Sequence, residues 1–247
     1  MHSRLQKAFD QRQVLKVISG LSNFNSQKVA AVVKAADRGG ASFVDIAAQP
    51  DLVKLAKTLT KLPVCVSAVE PDKFVSAVQA GADLIEIGNF DSFYAQGKRF
   101  EAEEVLALTQ QTRTLLPEIT LSVTVPHILT LDRQVQLAEE LVKAGADIIQ
   151  TEGGTSSQAH SAGTLGLIEK AAPTLAAAYE ISRIVSVPVL CASGLSSVTV
   201  PMAIAAGATG VGIGSAINQL DNEVAMVAVV RSLVEALAST STRQVQV

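Results

Sequence analysis

The sequence predicts a (β/α)8 TIM barrel with an extra N-terminal helix, as a single domain over residues 1–247. Three observations carry this reading. First, four segments resemble one another: GGASFVDIAA (39–48), AGADLIEIGN (80–89), AGADIIQTEG (144–153) and AGATGVGIGS (206–215). Each follows an amphipathic helical stretch, opens on a Gly-Ala helix stop and runs on as a short apolar strand. Second, four further strands alternate with them: VLKVIS (14–19), PVCVSA (63–68), ITLSVTV (119–125) and PVLCAS (188–193). Third, the recurrence is fourfold with two β-α units per repeat, which favours a closed ring. An open doubly wound sheet is the competing architecture. It more often carries a G-x-G-x-x-G loop after its first strand, where this chain has SGLSNF.

Taken in order, residues 1–13 form the extra helix, centred on about 3–12. Helical patterns then fill the gaps between strands at 26–38, 51–60, 71–80, 101–115, 131–144, 173–185, 197–206 and 222–238. SQKVAAVVKAADRGG and LDRQVQLAEELVKAGA show the clearest apolar spacing. The apolar face of the last helix has two uses open, pairing of subunits in a homo-oligomer and packing on the ring, of which packing is the simpler. The polar end, 240–247, reads as a frayed tail. Two connections are long. Residues 151–173 are rich in Gly, Ser and Thr, as lids and binding loops often are. Residues 89–104 hold Phe90, Phe93 and Tyr94, an apolar wall, with Lys98 and Arg99 as an alternative anion contact.

Composition narrows the function. Of 247 residues 48% are hydrophobic and only 4% aromatic, so the core is built from Ala, Val, Ile and Leu. The net charge of -3 and the scattered Lys and Arg argue against a nucleic-acid partner. Cys65 and Cys191 sit in apolar runs without disulfide or metal spacing, as reduced core residues of a cytoplasmic protein do. The charged N-terminus is not a secretory signal. The uncharged stretch between Arg183 and Asp221 is interrupted by Pro188, Pro201 and several glycines, which suits a buried strand-helix-strand better than a membrane span.

The repeat serves as a map of the site, because such barrels react at the C-terminal ends of their strands. Asp45, Glu86, Gln150 and Gly212 occupy equivalent positions. Ala47, Gly88, Glu152 and Gly214 follow two residues later and point the same way. Polar groups there face the barrel interior, since both faces of such a strand are covered. Glu86, Asp45, Glu152 and Lys16 are therefore the candidate catalytic residues, with Glu86 preferred as general acid or base. Lys16 neutralises a carboxylate or, if desolvated, serves as a Schiff-base nucleophile, although its place early in the strand argues against the latter. The bland alternative for Lys16, Asp45 and Glu86 is a buried ion network that fills the barrel. His127 stands just after the fifth strand, at a plausible mouth position. His160 lies in the 151–173 segment, as a proton carrier or a plain surface residue. No metal site is expected, and no triad or Walker loop is found.

GATGVGIGSA (207–216) is an odd strand, with four glycines in ten residues. Loops after the last two strands of such barrels often hold phosphate on backbone N–H groups, helped by a helix start. Ser193, Gly194, Gly214 and Ser215 are the candidate phosphate-binding residues. Gly207 and Gly210 read instead as helix-strand packing positions.

LKVISGLSNF, FVDIAAQPDLV, ADLIEIGNFDSFY and DIIQTEGGTSS, in this order, resemble the family known as hypothetical chloroplast reading frame 23, over about Leu15 to Leu237. The resemblance implies an aldolase-type or ribulose-phosphate-binding barrel in the cytoplasm or stroma of a photosynthetic cell, and carries over no catalytic residues. Separately, PVLCASGLSS followed by AAGATGVGIGSA is similar to the corresponding region of nitronate-oxidising FMN barrels. Three functions stay open: a lyase, isomerase or epimerase of a small phosphorylated metabolite, which leads; an FMN oxidoreductase; and a non-catalytic metabolite sensor.

Overall fold

The computed structural model describes residues 3–94, 96–154 and 157–243. Eight strands close into a barrel in chain order, every neighbouring pair parallel. They are β1 (Val14–Gly20), β2 (Phe43–Ala47), β3 (Val64–Ala68), β4 (Leu84–Ile87), β5 (Thr120–Val125), β6 (Ile148–Thr151), β7 (Val189–Ala192) and β8 (Gly210–Ile213). Around them run α1 (Ser3–Asp10), α2 (Ser26–Gly39), α3 (Pro50–Leu59), α4 (Pro71–Gln79), α5 (Asp91–Tyr94), α6 (Ala102–Leu115), α7 (Leu131–Lys143), α8 (Gly163–Ser182), α9 (Val200–Ala205), α10 (Ser215–Asn218) and α11 (Glu223–Arg243). The (β/α)8 expectation and the extra N-terminal helix are both met.

The sequence repeat turns out to be a device for leaving a helix and starting a strand. Gly40, Gly81, Gly145 and Gly207 all take a positive φ, between 88° and 110°, a region glycine enters without a Cβ penalty. The alanine after each donates back to the preceding helix: Ala41 to Ala36, Ala82 to Ala77, Ala146 to Leu141 and Ala208 to Ala203. This satisfies carbonyls that a helix end otherwise leaves open. The next residue enters the sheet. In three repeats its side chain also caps the strand before it, with Ser42, Asp83 and Asp147 accepting from the N–H of Leu15, Val64 and Leu121.

The lower end of the barrel is apolar. Val14, Phe43, Cys65, Leu84, Ile148 and Leu190 meet Leu5 and Phe9 of α1, which plugs that end. Arg12 fastens the connection by donating to the carbonyls of Ile204 and Ala208. The main core lies between the outer face of the sheet and the helix ring.

Several boundaries differ from expectation. α8 starts at Gly163, ten residues before the predicted 173, so half of the presumed 151–173 loop is helix. Proline favours the first turn of a helix, yet Pro173 lies inside this one. The turn ahead of the helix is held by Glu169, which accepts from the N–H groups of His160 and Ser161 and from the Ser161 hydroxyl. Two single-turn helices, α5 and α10, stand where loop and strand end were expected. α11 continues through Arg243, into the span read as a frayed tail; residues 244–247 lie outside the described residues. Among the described residues no helix is long and apolar enough to cross a membrane.

Candidate functional site

The repeat-equivalent positions Asp45, Glu86 and Gln150 meet inside the barrel, with Lys16 at their centre. Lys16 Nζ lies 2.5 Å from Glu86 Oε2, 3.0 Å from Gln150 Oε1 and 3.6 Å from Asp45 Oδ2. Ser67 donates to both oxygens of Asp45. Glu86 Oε2 also accepts from Ser122, and its Oε1 accepts from Gln150 and Asn89. Lys16, Asp45 and Glu86 are fully buried. Such charges are tolerable only when paired and hydrogen-bonded. Here one ammonium faces two carboxyl groups, so full ionisation leaves an excess negative charge. Burial answers this by pushing the Asp45 pKa up to about 6, against the pull of Lys16. For Lys16, burial pulls its pKa down, but Asp45 and Glu86 outweigh it and the net direction is upward. Lys16 is thus held as a cation, which fits the neutralising role and not that of a Schiff-base nucleophile, which must be a free amine.

Glu152 does not join this network. It follows β6 directly, one layer higher, among residues brought in by other connections. Its Oε1 accepts from the Tyr94 hydroxyl at 2.9 Å and from the His127 N–H at 3.2 Å. His127 Nε2 lies 2.9 Å from Asp91 Oδ1, and the Tyr94 and His127 rings meet edge to face. Burial, followed by the nearby Asp91 carboxylate, pushes the Glu152 pKa up to about 8. Burial and Glu152 drive the Tyr94 phenol upward as well, so it remains a proton donor. Gly154 makes room for this arrangement: a Cβ there would fall on the Asp91 carboxyl group. Oxygen and nitrogen atoms of Asp91, His127 and Glu152 lie within 4.8 Å of one another. Metal spacing in the sequence gave no hint of this grouping, because its members come from three separate connections. In this structure the His127 ring bonds Asp91, while Glu152 is held by the His127 N–H and the Tyr94 hydroxyl.

The ends of β7 and β8 face this second group across a cavity of about 180 Å³. Ser193, Gly194, Gly214 and Ser215 line it together with Asn89, Asp91, Gln150 and Glu152. All four candidate phosphate residues therefore share one cavity with Glu152. Ser193 has a left-handed backbone, φ 80°, and its Oγ accepts from the Gly154 N–H, which ties the two sides together. The glycines serve different ends. A Cβ on Gly212 would crowd Ala192, Ile18 and the Gln150 amide, so its absence admits the network. A Cβ on Gly194 would meet the Lys170 carbonyl of α8 at 2.5 Å, so that glycine also serves packing. A Cβ on Gly207 would strike Ser182 of α8, as helix packing requires. Gly210 corrects the reading made for it. It faces Val14 and Leu190 in the barrel, where a Cβ has no room. α10 is a single turn, too short for the helix dipole expected to assist an anion.

A second cavity, of about 710 Å³, opens beside the first, between the β1–α2 connection and α10–α11. Asn89 and Asp91 border both. Asn89 also has φ 61° and donates to Ser67 and toward Asp45 and Glu86, so it links the buried network to the mouth.

Other expectations shift. Glu86 is sealed within the network and does not line either cavity. His160 is exposed, its N–H held by half-buried Glu169. Lys98 is turned onto the Phe93 and Phe100 rings and toward Glu104. Asp91, Tyr94 and Asn89 were not picked out as site residues. The usable signal was their place at or just beyond the end of the β4 repeat segment, where a strand end delivers side chains to the mouth.

Solved structures with the same fold include thiamine phosphate pyrophosphorylase from Pyrococcus furiosus, with TM-score 0.62, 16% identity and coverage of 93% of this chain and 98% of that one. Another is (S)-3-O-geranylgeranylglyceryl phosphate synthase from Thermoplasma acidophilum in complex with sn-glycerol-1-phosphate, with TM-score 0.65, 13% identity and coverage of 97% and 100%. At these identities the likeness shows the architecture. Sequence similarity reaches further: the protein named "Uncharacterized protein ycf23" from Cyanophora paradoxa is 45% identical over 228 residues, 92% of this chain and 93% of its own length. The family described as "Protein of unknown function (DUF561)" matches residues 1–243, and this chain belongs to it, alongside the ycf23 proteins that the sequence strings resembled.

Proposed function

We propose that this chain is an enzyme of lyase, isomerase or epimerase type acting on a small phosphorylated metabolite. One observation carries the reading: Ser193, Gly194, Gly214 and Ser215 line the same cavity as Glu152, whose pKa near 8 suits proton transfer at neutral pH. The phosphate would rest on the backbone N–H groups and hydroxyls of β7 and β8. That would hold the reacting carbon beside Glu152, and such orientation is worth about 7 kcal/mol or more in favourable cases. Glu152 would give its proton to an oxygen or carbon of the substrate, with Tyr94 and the His127 N–H stabilising the carboxylate left behind. Glu86, preferred from the sequence, becomes a positioning residue. With Lys16 and Asp45 it orients Gln150 and Asn89, whose side chains reach the cavity wall. That sn-glycerol-1-phosphate is named with one structure of this fold lends support.

The test begins with thermal-shift titrations of inorganic phosphate, phosphorylated sugars and FMN. Ligands that stabilise the protein are then incubated in D2O, and deuterium incorporation is followed by NMR. Glu152→Gln should stop incorporation while keeping the thermal shift. Gly214→Asp, which sets a carboxyl group in the cradle, should abolish the shift. A shift that survives Gly214→Asp, or turnover that survives Glu152→Gln, overturns the assignment. Flavin absorbance in the purified protein would favour the FMN oxidoreductase, and stabilisation without turnover would favour the sensor.

A further inference from the structure

We propose that the ligand is bipartite: its anionic end occupies the small cavity, and an uncharged, ring-sized apolar group fills the larger cavity beside it. The anionic half rests on the function proposed above; the apolar half rests on the larger cavity itself. At about 710 Å³ that cavity falls within the range of small-molecule sites, whereas about 180 Å³ suits little more than a phosphate and a few carbons. The shared border at Asn89 and Asp91 makes one ligand spanning both the economical reading, with its reacting centre next to the Asp91–His127–Glu152 group.

Two features make the second group apolar. Leu21, Ala31, Val32, Leu220 and Met226 supply much of the wall. Two of the amides that border it are held by oxygens of the β1 end. Asn218 donates to the Ile18 carbonyl at 2.8 Å, and Asn23 donates to Ser19 Oγ at 2.9 Å.

Four probes test this by isothermal titration: inorganic phosphate, methyl phosphate, 1-naphthyl phosphate and 1-naphthol. The naphthyl ester should bind about ten-fold tighter than the methyl ester or better, because its rings leave water in the larger cavity. Ala31→Trp fills that cavity from α2 and should erase the preference while leaving inorganic phosphate affinity unchanged. Leu220→Glu, in the connection between α10 and α11, should do the same from the opposite wall and guards against a local defect in α2. Equal affinity for the two esters, or a preference that survives both variants, overturns the proposal. Should phosphate and methyl phosphate fail to bind while 1-naphthol binds and is lost in Ala31→Trp, the cradle is wrong and the apolar subsite stands without it. Failure of all these probes to bind overturns both.

Discussion

At the scale of single residues, the informative side chains are those kept charged or protonated against their ordinary tendency. Glu152 and Asp45 carry pKa values raised by burial to about 8 and about 6, from 4.5 and 3.8. The consequence for stability has a definite sign. Below about pH 3 these groups are protonated in both folded and unfolded chains and contribute no pH dependence. As pH rises, the unfolded chain releases its protons first, so stability falls through the window up to each folded pKa. The Asp45 part is spent by about pH 6, and the Glu152 part extends to about pH 8. Glu152→Gln should therefore flatten the decline of melting temperature between pH 6 and 8, leaving below pH 6 only the decline that Asp45 contributes. An unchanged profile would mean that Glu152 titrates normally. Lys16 is a different case, because its removal leaves two buried carboxyl groups without their cation. Lys16→Met should cost about 3–5 kcal/mol in urea unfolding, and adding Glu86→Gln should recover part of that loss.

At the scale of elements, the same repeat does three jobs. Its glycine ends a helix, its fourth residue in three of the repeats caps the preceding strand, and its later residues are delivered inward. The first helix illustrates a stabilising role separate from the mouth. Phe9 is buried with Leu5 against the lower barrel layer. Phe9→Ala should cost about 3–5 kcal/mol by opening a cavity there, measured by urea unfolding, with phosphate-ester affinity at the opposite end unchanged. A loss of affinity in step with stability would show that the two ends are coupled. α8 teaches the opposite lesson about local signals. Pro173 reads as a helix start, yet the helix begins ten residues further back, behind a turn held by Glu169, and packs against β7.

At the scale of the whole molecule, closure of the barrel turns sequence equivalence into spatial convergence. Asp45, Glu86 and Gln150 are far apart in the chain, but closure sets them around Lys16 within 3.6 Å. The strands, their order and this inward layer were legible because side chains alternate along a strand and because Gly-Ala stops recur at matching positions. The site was less legible. Asp91, Tyr94 and His127 gather on Glu152 from connections after two different strands. Loop conformation carries no periodic signal from which such a meeting can be read. Thus the sequence by itself determined the barrel, its register of inward polar groups and the glycine-bearing strand ends, since these follow from local spacing and backbone chemistry. Only the tertiary structure decided that Glu86 is sealed while Glu152 faces the cavity, because exposure depends on the depth at which each residue lies along a tilted, closed sheet.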